Sequence, residues 1–295
     1  MSLSDVPHQK DETYFADTEN AAEMARLVRQ ARTLTRLLGS VFPQEIDITS
    51  IYSVLDVACG PGAWVLDVAQ AYPHMQITGI DVSDLMINYA SSMAAVEERQ
   101  NVHFRVMNAT HPLDFPDSSF DLVNARLIFG FMQPATWPKL LRECYRILRP
   151  GGIIVLAEGE LPLTTSLAFE RMSTLFAQAL KKVSQSFSPD GEHIGITPVL
   201  SRLVRDAGFQ QVQQSVQSFD MSAGTDLHRE YFYPNFVSAF KLDQPFLVRA
   251  GVTTQENVER IYSQMLEEIC ANNFGAISYG IIVLGKKPQE AVSTE

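Results

Sequence analysis

Residues 51–58, IYSVLDVA, form a nearly unbroken apolar run that stops at Cys59-Gly60-Pro61-Gly62 and passes at once into a second apolar stretch. A segment with no polar side has no face to offer water. It must be covered on both faces, which is the situation of a strand in a parallel sheet. The pattern then repeats. A helix is expected over 63–71, a strand over 76–82 (QITGIDV), a helix over 84–97 and a strand over 101–109 (NVHFRVMNA). FDLVNARL (120–127) reads as a fourth strand, and Pro134 suits the first turn of a helix running to about Leu148. RPGG (149–152) stops that helix, and GIIVLAEGE (152–160) is a fifth strand. Such β-α-β-α alternation predicts an α/β fold with a doubly wound, mostly parallel sheet and helices on both faces.

The flanks are less regular. Apolar positions at Met24, Leu27, Val28, Ala31, Leu34, Leu37 and Leu38 have helical spacing, with Asp17 or Thr18 as cap and Gly39 as stop. After the fifth strand come an amphipathic helix over 164–183, a loop over 185–196 and a short helix opened by Thr197-Pro198 and closed by Gly208. Strands six and seven are read at 210–219 and 277–287, with about 55 mostly helical residues between them. Within that insertion Thr253 and Glu256 have the spacing of a capping box. The expected organisation is therefore 1–45 as an N-terminal tail and lid helix and 46–160 as the ligand-binding core. Residues 161–295 complete the sheet and carry a helical substrate lid, inserted at about 220–273.

Composition narrows the function. Net charge is −11 with no Lys/Arg-rich run, so the counterion release that drives nucleic-acid binding has little to work with. No apolar stretch is long enough to span a bilayer and the N-terminus lacks an apolar signal region, which predicts a cytoplasmic chain without a membrane span. Three cysteines far apart and six scattered histidines give no metal-ligand spacing, so no metal is expected.

The glycine turn narrows it further. A phosphate-binding P-loop needs Lys-Ser or Lys-Thr after the last glycine, and none follows Gly62. A dinucleotide loop needs a third glycine, where Val65 stands, and Asp56 would set a carboxylate against a diphosphate. An ammonium group suits Asp56 better, and S-adenosylmethionine carries one without any phosphate. Asp81 closes the second strand about 20 residues after the loop, where a carboxylate can accept both hydroxyls of a ribose.

VLDVACGPG, ITGIDVS, VMNAT, LDFPDSSFDLVNAR and ILRPGG follow one another at spacings that resemble class I S-adenosylmethionine-dependent methyltransferases. The branch that includes the ubiquinone and menaquinone C-methyltransferases is the most similar, and the match covers roughly residues 50–160. The resemblance implies a Rossmann-like seven-stranded sheet with S-adenosyl-L-methionine as cofactor. It implies that Asp56, Ala58, Gly60 and Gly62 frame the methionine end, and that Asp81 holds the ribose. Val82 and Met86 would pack near the adenine, Asn108 and Ala109 would meet its edge, and Arg126 would lie beneath the donor. An aspartate is more usual at position 108. Tyr14 and Gln30 are expected to touch the donor from above.

Each residue also has a plainer reading. Asp56 can be a structural carboxylate, Asp81 a helix cap and Arg126 an ion-pair partner. Trp137 and Cys59 read as packing, and the aromatics of residues 229–236 read as lobe core or as pocket lining. Methyl transfer needs no fixed catalytic residue, because the sulfonium is already activated and the protein mainly positions the nucleophile. If the acceptor loses a proton, Glu158, Glu160 and His193 are the candidates. The expected activity is methyl transfer to an O, N or C atom of a small, partly apolar molecule. The rivals are a protein that binds the same cofactor without transferring methyl, and an NAD(P)-dependent oxidoreductase. The sequence leaves the acceptor and the oligomeric state open.

Overall fold

A computed structural model describes residues 20–289. The central sheet contains β1 (Ser53–Val57), β2 (Gln76–Asp81), β3 (Val102–Val106), β4 (Phe120–Arg126) and β5 (Leu148–Gly159), followed by β6 (Leu163–Thr164), β7 (Gln210–Asp220) and β8 (Ala276–Lys286). The order is β3-β2-β1-β4-β5-β8, with β6 and β7 both paired to β8. The first five strands are mutually parallel, and β8 runs antiparallel between β5 and β7. The expected seven strands are present. The eighth is the two-residue β6, where the chain leaving β5 touches β8 again at Ala276 and Ile277.

The apolar runs follow from burial on both faces. Leu122, Val155 and Ile282 pack into one core, while their neighbours Val123, Leu156 and Val283 pack into the other. On the first face lie α2 (Ala63–Ala71), Phe42 and Ile51. On the second lie α4 (Trp137–Ile147), α5 (Leu167–Lys182) and α6 (Leu200–Asp206). Trp137 is 1% exposed and belongs to this second core. The remaining helices are α1 (Ala21–Leu38), α3 (Asp84–Val96), α7 (Tyr233–Arg249) and α8 (Gln255–Ile269). A π-helical turn, His228–Phe232, leads directly into α7. Helices α7 and α8 pack on each other and on α5, and α1 packs on α7 and α2.

Two helix starts differ from the sequence reading. Asn20, rather than Asp17 or Thr18, caps α1, and its Oδ1 accepts from Ala22 N at 2.8 Å. Thr254, rather than Thr253, caps α8 by accepting from Asn257 N, while Thr253 Oγ1 accepts from the Asn257 amide. With the cap moved one residue, Asn257 and not Glu256 takes the third helical position, and no capping box forms. Gly39 does stop α1, in the left-handed conformation that glycine favours at this place.

Gly62 is a glycine that the packing requires. Its φ is +77°, and a Cβ there would lie 2.7 Å from Ala90 Cβ and 2.8 Å from Phe104 Cζ. Gly62→Ala should therefore cost the left-handed penalty of about 1–2 kcal/mol and an overpacking penalty of about 1–3 kcal/mol. A fall in urea midpoint equivalent to less than about 1 kcal/mol would contradict this close-packing account.

Candidate active site

The carboxyl ends of β1, β2 and β4 open into a cavity of about 130 Å³. Parallel register builds it. Asp56 on β1 lies beside Asn124 on β4, and the Asn124 amide donates to Asp56 Oδ1 at 2.7 Å. Asp56 is 4% exposed, and burial pushes its carboxyl up to about 6, with the Arg126 charge and the Asn124 hydrogen bond pulling the other way. Arg126 is held below its ordinary value by burial, opposed by Asp56 and Asp67. Its guanidinium lies over the Trp64 ring and donates to Thr35 Oγ1 on α1.

Asp81 ties the turn together. One oxygen accepts from Gly60 N at 2.9 Å and the other from Ser83 N at 3.0 Å. Ser83, not Asp81, is the cap of α3. A carboxylate accepts at about four sites, so holding the turn does not by itself exclude a ligand hydroxyl. Val82 and Met86 form an apolar wall, and Asn108 with Ala109 closes the far side. The Asn108 Oδ1 accepts from both Thr110 N and Thr110 Oγ1, which leaves its Nδ2 as the group to offer a ligand. Ala58 lines the same cavity with a φ of +55°, a costly conformation for a residue with a Cβ.

Gln30 and its neighbours Leu27, Ala31 and Leu34 on α1 roof the cavity. Gly60 lines it, and a Cβ on Gly60 would meet nothing within 4 Å. Gly62 does not line it; its place is the contact with α3 and β3 described above. Tyr14 falls outside the described residues.

A second cavity, of about 190 Å³, adjoins the first. Leu27, Gln30, Leu34 and Leu127 line both. Its apolar lining includes Phe176, Phe219, Phe236 and Phe240. The 229–236 stretch thus divides: Phe232 is fully buried core, whereas Tyr231 and Phe236 face the cavity. One end is polar. Arg26 makes a two-point contact with Glu23 at 2.7 and 2.6 Å and donates to Asn235 Oδ1 at 3.0 Å. Asp243 stands nearby, and its burial holds the carboxyl well above the usual range against the pull of Arg26.

The three proton-transfer candidates part company here. Glu158 and Glu160 line the second cavity. Glu158 is 3% exposed; its Oε1 accepts from Ile128 N at 2.8 Å, and its Oε2 is buried without a hydrogen-bond partner. Glu160 is engaged by Ile194 N, Gly195 N, Thr197 N and Thr197 Oγ1, and so pins the 185–197 loop. His193 is exposed and lines neither cavity. The Glu23, Arg26, Asn235 and Asp243 cluster went unseen in sequence, because charges on an amphipathic helix read as a solvated face. The available signal was Asn235 and Asp243 at i, i+8 in a largely apolar helix.

A family model described as a methyltransferase domain matches residues 54–152. The demethylmenaquinone methyltransferase of Lactococcus lactis is 30% identical over 178 residues, covering 57% of this chain and 69% of that protein. The chain belongs to the class I S-adenosylmethionine-dependent methyltransferases. The demethylmenaquinone methyltransferase of Listeria welshimeri is likewise 30% identical over 181 residues, covering 58% of this methyltransferase and 75% of its own length. In fold, the methyltransferase is similar to phosphoethanolamine N-methyltransferase 2 of Haemonchus contortus solved with S-adenosyl-L-methionine. That likeness has 17% identity and a TM-score of 0.52, over 92% of this chain and 57% of the other. The YcgJ protein of Bacillus subtilis gives a TM-score of 0.50 at 17% identity, over 81% and 93%. S-adenosylmethionine is the methyl donor of this methyltransferase. No helix among the described residues is long and apolar enough to cross a membrane, and no group among them has the composition of a metal site.

Proposed function

We propose that the first cavity holds the donor and the second the acceptor, with α1 as the lid over both. The single observation that carries this reading is the pair of adjoining cavities sharing Leu27, Gln30, Leu34 and Leu127, the first bearing Asp56 and Asp81 and, among the described residues, no unopposed cation. When bound, S-adenosylmethionine supplies a methyl group already activated on a sulfonium. Asp56 and the Gly60 turn accept its ammonium end, directly or through water, and Asp81 accepts the ribose hydroxyls. Met86 and Val82 cover the adenine, and the Asn108 amide donates to its edge. A diphosphate would meet both carboxylates here, which disfavours a nicotinamide cofactor.

The acceptor is a small molecule, and the aromatic lining of the second cavity supports a partly apolar one. The listeria and lactococcal relatives are named for a demethylmenaquinone substrate, which has that character. The enzyme's own work is to hold the acceptor atom about 3–3.5 Å from the methyl and to exclude water, worth up to about 7–11 kcal/mol. In thermal-shift titrations S-adenosylmethionine and S-adenosylhomocysteine should stabilise the protein and NAD(P) should not. Stabilisation by NAD(P) alone would overturn the reading. Metabolite extracts incubated with trideuteromethyl-labelled donor should contain one compound that gains the label.

A further inference from the structure

Four carboxyl side chains line the second cavity, and the fold accounts for three of them. Glu23 makes its two-point contact with Arg26. Glu160 accepts from Ile194 N, Gly195 N and Thr197 Oγ1. Glu158 is held at Oε1 by Ile128 N, and its Oε2 is sealed off from the cavity. Asp243 is different. It is 4% exposed and lines the cavity, yet among the described residues it makes no hydrogen bond and no ion pair. Its oxygens are not sealed as Glu158 Oε2 is, so the carboxyl opens on the cavity. Buried polar groups in folded proteins are nearly all hydrogen-bonded, so a carboxyl left in this way points to a partner from outside the chain. The lining does not supply a cation for it. Arg26 is the one cation among the described lining residues, and it donates to Glu23 and Asn235.

The neighbours of Asp243 along its helix are aromatic. Phe236, Ala239, Phe240 and Asp243 all line the cavity, and they follow one another at i, i+3, i+4 and i+7 in α7. That spacing puts them on one face of the helix, with a phenyl ring one turn and another two turns from the carboxyl. A carboxylate with aromatic faces beside it is the chemistry that holds an organic ammonium. The carboxylate supplies a charge-assisted hydrogen bond, and the negative ring faces attract the cation. We propose that Asp243 and the Phe236–Phe240 face of α7 bind an ammonium group, and that the acceptor is an amphipathic amine, an apolar body carrying one basic nitrogen. The proposal rests on the reading of the second cavity as the acceptor site.

The nitrogen is a handle and not the atom methylated. An ammonium has no lone pair with which to attack the methyl group, and Asp243 lines the second cavity without lining the first. The methyl group therefore goes to another atom of the same molecule, while Phe176 and Phe219 cover its apolar body. The electrostatics of the empty cavity agree. Burial holds the Asp243 carboxyl well above the usual range, with Glu23 adding to the rise and Arg26 opposing it. A cation in contact reverses that, because an adjacent opposite charge favours the ionised form.

Two probes of nearly the same shape test the handle. At neutral pH 2-naphthylmethylamine carries an ammonium where 2-naphthalenemethanol carries an uncharged hydroxyl. In calorimetric titrations of the S-adenosylhomocysteine-loaded protein, the amine should bind at least tenfold more tightly than the alcohol. Asp243→Asn keeps the volume and removes the charge. There the amine should lose at least tenfold in affinity, while the alcohol stays within threefold. The variant should melt close to wild type, since Asp243 contributes no hydrogen bond or ion pair to the fold. Equal affinity of amine and alcohol in the wild-type protein, or no binding of the amine, overturns the proposal without recourse to any variant. A preference for the amine that survives undiminished in Asp243→Asn overturns it too. The same titrations without S-adenosylhomocysteine keep two failures apart. If S-adenosylmethionine and S-adenosylhomocysteine do not bind, the donor reading falls, whereas the choice between amine and alcohol still decides the role of Asp243.

Discussion

Asp81→Ala should weaken S-adenosylmethionine binding at least 100-fold, or about 3 kcal/mol. Two losses add. The carboxylate oxygens that fix Gly60 N and Ser83 N disappear, so the turn that shapes the first cavity loosens. The same oxygens are the proposed acceptors for the ribose hydroxyls, and hydrogen bonds to a charged partner contribute about 1.5–3 kcal/mol each. Asp81→Asn keeps the volume and one acceptor oxygen, and should fall between wild type and the alanine variant. Calorimetry measures the effect and circular dichroism checks that the sheet persists. An alanine variant that binds within threefold of wild type would sink the ribose assignment.

Arg26→Met should be among the most destabilising substitutions in the chain. The methionine fills much of the same volume but removes the two-point contact to Glu23 and the hydrogen bond to Asn235, and breaking a buried pair in this way costs about 3–5 kcal/mol. Because the pair anchors α1 to α7 through Asn235, the loss should appear first as local opening of α1. Hydrogen exchange over residues 21–38 should accelerate more than tenfold while β1, β4 and β5 stay protected. Donor affinity should fall too, since Leu27, Gln30 and Leu34 would leave the first cavity with the helix. Unchanged exchange in α1 would show that the latch lies elsewhere.

The strands were readable because a sheet covered on both faces allows no polar alternation, and β1, β4 and β5 carry that mark plainly. The cavity positions were readable for a related reason. They fall where apolar runs end, and in a parallel sheet all the carboxyl ends share one edge, so Asp56, Asp81, Asn108 and Arg126 must converge. Helix starts were harder where cap candidates crowd together, as at Thr253-Thr254 and at Asp17, Thr18 and Asn20. Gly62 shows a different limit: a left-handed turn and a tight helix contact demand the same residue as a ligand cradle, and spacing alone does not separate them. Glu23, Arg26 and Asp243 show the last. A charge on α1 buried by a helix packing from elsewhere leaves no trace in its own segment, because its cover is more than 200 residues away for the Arg26–Asn235 contact, and the available signal lay on that distant helix.

The placement of β8 carries a consequence for biosynthesis. This strand sits inside the sheet, between β5 and β7, yet it is the last of the eight to leave the ribosome. Until residues 276–286 emerge, β5 and β7 each expose an open edge on the side that β8 will occupy. Exposed edges invite pairing with other chains, so the nascent protein passes through an aggregation-prone interval. A stop codon anywhere before this segment would remove the floor of the second cavity at Ser278, Tyr279 and Ile281 together with the strand that ties β7 to β5.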